Sequence, residues 1–136
     1  MTQLQQATKG IATPEILTAA KDEHIEVEIL MQLIADGKVV IPHNHNRNAI
    51  PTAIGSKMTT KINANIGTSE LCCEPETEIT KLKLCKKYQA HSVMDLSTGG
   101  NLDKIRTKML KATDLILGTV PLYAVATELQ RNDKDI

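Results

Sequence analysis

Asn63 and Asn65 set two carboxamides one residue apart in the run Lys61-Ile62-Asn63-Ala64-Asn65-Ile66-Gly67. On an extended chain that spacing aims both side chains the same way, and an amide can hold a polar ligand by donating and accepting together. The competing reading is a turn whose amides satisfy their own backbone. Recurrence brings the ligand reading level with it. Met94 stands 29 residues beyond Asn65, in Ser92-Val93-Met94-Asp95-Leu96-Ser97-Thr98-Gly99-Gly100, and Tyr123 another 29 beyond that, after Leu117-Gly118-Thr119-Val120-Pro121-Leu122. In the first two places an apolar segment empties into small residues, as strands do when they run out into loops.

Other residues offer weaker chemistry. Ser97-Thr98-Gly99-Gly100 would present backbone N–H groups to an anion, and it is equally an ordinary strand-to-helix connection. It matches neither the phosphate-binding loop nor the dinucleotide fingerprint. Asp95 faces away from Met94 and stays open between a structural hydrogen bond and catalysis. The Tyr123 ring would cover a pocket or pack against a neighbouring strand. His43 and His45 are spaced as two ligands on an extended segment, but no carboxylate or third ligand accompanies them in the sequence, so a hydrogen-bonding loop is the better reading. Cys72, Cys73 and Cys85 lack metal-ligand spacing and read as buried or idle thiols. No catalytic triad or nucleophile elbow is present.

These residues need elements to hold them. Thr13 is a helix N-cap with Pro14 at the first helical position and Glu15 in the first turn, giving a helix to about Asp22. A second helix carries Val27, Leu30, Met31 and Ile34 on one face and stops at Gly37. Val39-Val40-Ile41 forms a short buried strand ended by Pro42. From residue 58 the order becomes strand, loop, helix, three times over. The strands are Met58–Ile62, with its loop around Asn65, then Ser92 onward and Leu115 onward. The helices are one from Pro75 to near Ala90 (Ile79, Leu82, Cys85 and Tyr88 on its face), one capped by Asn101 or Gly100 (Leu102, Ile105, Met109, Ala112), and one after Pro121 (Leu122, Val125, Leu129) that dissolves into a charged tail from Arg131. Lys81, Lys83, Lys86 and Lys87 read as a solvated helix face. Such repetition means parallel strands with crossover helices, so the class is α/β and Asn65, Met94 and Tyr123 emerge at one rim as neighbours. We divide the chain into a mainly helical region, 1–57, and a strand–helix region, 58–136.

Composition bounds the rest. The 136 residues carry 16 basic and 16 acidic side chains, so net charge gives no reason to expect a nucleic-acid or membrane partner. There is no Trp or Phe and there are two Tyr, so the large rings that anchor a small core are missing. Three parallel strands also neither close a barrel nor make a comfortable open sheet alone. Both points suggest a piece of something larger. No apolar run reaches the roughly 18 residues needed for a membrane span, and no signal peptide precedes Gln6, which leads us to expect a cytoplasmic protein with reduced thiols.

Five blocks then carry a resemblance: Lys9-Gly10-Ile11-Ala12-Thr13-Pro14-Glu15, Val40-Ile41-Pro42, Lys61 to Gly67, Val93-Met94-Asp95-Leu96-Ser97-Thr98-Gly99, and Gly118-Thr119-Val120-Pro121-Leu122-Tyr123. In this order, over nearly the whole chain, they resemble the phosphomethylpyrimidine synthase family, ThiC. The resemblance implies a radical enzyme of thiamine biosynthesis. It would rearrange aminoimidazole ribotide into hydroxymethylpyrimidine phosphate with S-adenosylmethionine and a 4Fe–4S cluster in a (βα)8 TIM-type barrel, as a homodimer. It also implies that Asn65, Met94 and Tyr123 bind the substrate. The family's cluster-binding Cys-x2-Cys-x4-Cys and its downstream His, Glu and Ser-Arg-Gly positions have no counterpart here, and Cys72, Cys73 and Cys85 do not replace them. His43-Asn44-His45-Asn46 stands where relatives carry Ala-Asn-Ile-Asn, a modest local change. The expectation is therefore the N-terminal part of such an enzyme, with its first three βα units, inactive alone. The Gly99-Gly100 ending is nearer the shorter archaeal and anaerobic members, which include hydroxybenzimidazole synthases acting on the same ribotide. That activity is one alternative, and a non-catalytic remnant or ribotide-binding module is another.

Overall fold

The computed structural model describes residues 1–44 and 46–131, in two compact units, Met1–Lys61 and Ile62–Ile136.

The first unit is built on caps. Helix α1 (Gln3–Thr8) opens with a reciprocal pair: the Gln5 N–H donates to the Thr2 hydroxyl at 3.2 Å and the Thr2 N–H to the Gln5 side chain at 3.0 Å. The sequence reading passed over this helix, although Thr2-x-x-Gln5 announces it. Helix α2 (Pro14–Asp22) begins as expected, with the Ile16 N–H donating to Thr13 Oγ1 at 3.2 Å. The same hydroxyl donates to Gln3 at 2.7 Å, which ties the two helix starts together. Helix α3 (Val27–Ala35) ends where Gly37 takes φ 69°, and the Lys38 N–H returns to the Leu33 carbonyl at 2.8 Å. Strands β1 (Val39–Val40) and β2 (Ile54–Gly55) pair antiparallel, Val39 against Gly55. Ile16, Ala19, Ala20, Leu30, Ile34 and Val39 form the centre of the buried core.

One expected strand moves. Met58–Ile62 is not a strand: Met58 packs against the first unit's core, the Thr59 N–H donates to Glu23 at 2.7 Å, and the Lys61 ammonium also bonds Glu23. The apolar alternation there reflects one partly buried side chain, Met58, and an ion-pair clasp. The strand begins only at the amides themselves.

In the second unit, β3 (Asn63–Ile66), α4 (Pro75–Lys87), β4 (Ser92–Asp95), α5 (Leu102–Ala112), β5 (Ile116–Thr119) and α6 (Pro121–Arg131) alternate. The sheet order is β3-β4-β5, all parallel. Helix α4 carries Glu76 and Glu78 in its first turn and Lys86 and Lys87 in its last, each charge facing the favourable end of the helix dipole. The Lys104 N–H donates to Asn101 Oδ1 at 2.9 Å, so Asn101 is the α5 cap. One sheet face supplies Ala64, Ile66, Val93 and Leu117 to a core with Leu82, Ile105, Met109 and Leu115. Four residues of the expected apolar faces lie outside it. Tyr88 is 74% exposed with the Lys87 ammonium over its ring, Ala112 is exposed, and the α6 face is open, Leu122 at 70% and Val125 at 53%. Among the described residues of α6 only Thr127 is buried. No helix among the described residues is long and apolar enough to cross a membrane.

Candidate functional site

Strand alternation puts Asn63, Asn65, Ser92, Met94, Ile116 and Gly118 on the sheet face opposite the core. Register makes neighbours of them: Asn63 lies beside Ser92, Asn65 beside Met94, and Met94 beside Gly118. Polar groups on this face link side by side. The Ser92 hydroxyl donates to Asn63 Oδ1 at 2.8 Å, and Asn63 Nδ2 donates to Asn65 Oδ1 at 3.0 Å. Met94 leans across β5, since a Cβ at position 118 would lie 3.0 Å from its Cε and 3.1 Å from its sulfur. Glycine there makes room for the thioether. The face thus offers amides beside a soft, polarisable apolar surface, a combination suited to a flat polar ring or a sugar.

The loops beyond the strands are locked by buried hydrogen bonds. Asp95 is 1% exposed and takes the Arg106 guanidinium on Oδ2 at 3.2 Å; the Ser97 N–H donates to its Oδ1 at 2.9 Å, and the Ser97 hydroxyl bonds the same oxygen. That serine's Oγ in turn accepts from the Thr68 N–H at 3.0 Å, while the Thr68 hydroxyl donates to the Gly99 carbonyl at 2.7 Å. Gly67 is required in this joint. Its φ is 151° and an added Cβ would lie 2.6 Å from the Ser97 nitrogen. Asp95 therefore resolves to a structural role. The anion-binding reading of Ser97-Thr98-Gly99-Gly100 is also displaced, because the Ser97 and Thr98 N–H groups already serve Asp95 and the Thr68 carbonyl.

The 29-residue interval has unequal meaning. Between Asn65 and Met94 it is strand register, so the two are cross-strand partners. From Met94 the register partner is Gly118, and Tyr123 lies in the first turn of α6. Tyr123 lines a cavity of about 570 Å³ with Glu70, Thr98 and Thr127, whereas Asn65 lines another of about 340 Å³ with Gly67, Lys81 and Leu96. Asn65 and Met94 meet as register partners, while Tyr123 follows β5 at the same end of the parallel sheet. Lys81 is more than a solvated charge: its ammonium donates to Glu78 Oε1 at 2.6 Å, and Glu78 is 1% exposed. The i, i+3 spacing of Glu78 and Lys81 was the available signal for that pair.

In the first unit a carboxylate does accompany His43, whose Nε2 lies 3.6 Å from Glu15 Oε1. The Glu15 carboxyl is held below its ordinary range, first by its own backbone N–H, then, against the opposing pull of burial, by Gln3, Thr13 and His43. His45 lies outside the described residues, as does the charged tail from Asn132.

Radical S-adenosylmethionine chemistry calls for an iron–sulfur cluster held by cysteine thiolates. Among the described residues no three His, Cys, Asp or Glu side chains converge as metal ligands. Cys72 and Cys73 are exposed beside a tight Ser69–Cys72 turn, and Cys85 packs against the sheet core. These thiols do not fit a cluster, and no step is assigned to them.

The geometry defines an α/β chain with a polar strand-end face and locked loops, and the sequence specifies its family. The chain belongs to the radical SAM ThiC family, which it matches over residues 2–136. It is 51% identical to phosphomethylpyrimidine synthase 1 of Methanosarcina mazei over 126 residues, 93% of this chain and 29% of that protein. The corresponding figures are 50% over 125 residues for the phosphomethylpyrimidine synthase of Methanocaldococcus jannaschii (92% and 29%), and 49% over 136 residues for phosphomethylpyrimidine synthase 1 of Methanosphaera stadtmanae (100% and 32%). The chain spans about three-tenths of the length of the curated relatives it matches.

Proposed function

We propose that this chain is the N-terminal part of a phosphomethylpyrimidine synthase, which converts aminoimidazole ribotide to hydroxymethylpyrimidine phosphate in thiamine biosynthesis. In this reading β3 to α6 are the first three βα units of a (βα)8 barrel, and the uncovered sheet face looks into its interior. Asn65, Met94 and Tyr123 contact the ribotide, Asn65 by hydrogen bond, Met94 by its thioether against the ring, and Tyr123 from the rim. The chain supplies binding and orientation, and the cluster and the radical step belong to residues it does not contain.

The observation that carries the reading is the Asn65–Met94 cross-strand pair, Asn65 exposed and Met94 half-buried, on the sheet face opposite the core in a chain of this family. Support comes also from Gly118, whose missing side chain lets Met94 lie flat along that face. The test is Asn65→Ala in the intact protein, with aminoimidazole ribotide affinity measured by calorimetry. Loss of one amide contact should weaken binding about tenfold. Unchanged affinity would return Asn65 to a purely structural role.

A further inference from the structure

A helix on a sheet is usually turned about its axis by its apolar stripe, which seeks burial. In α6 that stripe is largely open, with Leu122 70% and Val125 53% exposed. The polar side is the one that faces the protein. Tyr123, Ala126, Thr127 and Gln130 recur at i, i+3, i+4 and i+7, the spacing of one helix face, and they line the cavity of about 570 Å³ together with Thr98 and Glu70. Thr127 is buried, and its hydroxyl donates to the Thr98 carbonyl at 3.3 Å. That direction is fixed, because a carbonyl only accepts. Thr98 is itself held: its N–H donates to the Thr68 carbonyl at 2.9 Å, and the Thr68 hydroxyl donates to the Gly99 carbonyl at 2.7 Å. Hydrogen bonds thus run from the loop after β3 through the loop after β4 to α6. Val120 alone separates β5 from Pro121, which sets where the helix begins. Thr127 lies more than a turn further on, where the helix needs a second point of attachment.

We propose that Thr127 is a positioning residue: its bond to the Thr98 carbonyl sets the rotation of α6 and so keeps the Tyr123 side chain, one turn earlier on the same face, at the cavity on the strand-end rim. A buried hydroxyl suits this task, because a hydrogen bond is directional and apolar contact is not. The Thr127 hydroxyl hydrogen is spent on Thr98, so its effect on a ligand runs through Tyr123. The inference rests on the reading of Tyr123 as a ribotide contact and adds what holds that residue in place.

The experiment uses the intact chain carrying Tyr88→Phe, which leaves Tyr123 as its one fluorophore, since the sequence has two Tyr and no Trp. Tyr88 is exposed at the C-terminal end of α4 and takes no part in the cavity. Acrylamide quenching reads the exposure of Tyr123, and calorimetry with aminoimidazole ribotide reads binding. Thr127→Val, which keeps the shape and removes the hydroxyl, raises the quenching and weakens ribotide affinity about threefold, the low end for one lost hydrogen bond because this one is long. Thr127→Ser restores both, and on a Tyr123→Ala background Thr127→Val has no further effect on affinity. Four results would overturn the proposal: quenching unmoved in Thr127→Val, Thr127→Ser failing to restore it, an equal affinity loss without Tyr123, or loss of amide protection across β4 and α5 in Thr127→Val, which would make Thr127 a prop of the whole unit. Raised quenching with unchanged affinity would keep the positioning and reject Tyr123 as a contact. If the chain with Thr127 intact binds no ribotide, the proposed function fails by itself, and the quenching of Tyr123 in the valine and serine variants decides the positioning alone.

Discussion

Both units of this chain bond polar side chains into their structure, but the second also leaves a row of them on one sheet face. In the first, hydroxyls, amides and carboxylates are turned inward on the structure: Thr2, Gln3, Thr13 and Glu15 cap and join helix starts, and Glu23 clasps Thr59 and Lys61. In the second, one sheet face is closed by apolar packing while the other carries Asn63, Asn65, Ser92 and Met94 uncovered. What the first unit has for a ligand is a cavity of about 310 Å³ lined by Leu4, Ile34, Val39 and His43. A unit with one open face has the surface for one, at the cost of apolar groups such as Leu122 and Val125 left exposed.

The largest test of this contrast is Asp95→Ala. Removing a buried carboxylate strands the Arg106 guanidinium and frees Ser97, which should cost about 3 to 5 kcal/mol. Amide exchange should accelerate across β4 and α5 and stay slow in α3. Acceleration of both alike would mean the units do not hold themselves up separately. Next in size is Leu30→Ala in the first unit's core, about 2 to 5 kcal/mol from lost burial and the residual cavity, read from denaturant unfolding. Its signature is the reverse, with protection lost in α2 and α3.

The parts of the fold that were legible in sequence are those decided by near neighbours. Thr13-Pro14-Glu15 and Asn101 name their helix starts because a cap acts over three residues. Long-range competition hid the rest. Met58–Ile62 alternates like a strand, but its partners are the first unit's core and Glu23, 36 to 38 residues away from Thr59 and Lys61. The α6 stripe Leu122, Val125, Leu129 has helical spacing, but spacing does not say whether anything lies against it. At the candidate site, Asn65 with Met94 was readable because the chain length between the strands equals their register. The second 29-residue step is not register, since Met94 pairs with Gly118 and Tyr123 lies beyond the end of β5. The Asp95–Arg106 pair gave no local signal, since a carboxylate at a strand end serves equally well as a ligand group.

Acid acts more gently on the first unit's carboxylates. Burial opposes ionisation of Glu23, but bonds from Lys61 and from Thr59 outweigh it, so its carboxyl sits below the ordinary 4.5; Glu15 is lowered from the same value. Groups titrating lower in the folded chain give stability that is fully present above the unfolded value and fades as pH falls through the folded values. The first unit's melting temperature should therefore drop below about pH 4.5, and Glu23→Gln should flatten that drop. An unaltered pH profile in Glu23→Gln would show that the clasp contributes nothing.

The smallest stability effect belongs to the residue with the largest expected effect on binding. Asn65 is exposed on the face opposite the core, and among the described residues its side chain is tied to the protein by the bond it accepts from Asn63, itself exposed. Asn65→Ala should therefore shift unfolding by no more than about 0.5 kcal/mol, against the tenfold loss of ribotide affinity proposed above. Alanine also removes an amide from a strand, where Asn is disfavoured, so a slight gain in stability is the natural sign. A loss beyond about 1 kcal/mol would place Asn65 with the first unit's inward-turned polar groups. The open face would then be holding the sheet together, and the contrast between the units would fail where it matters most for function.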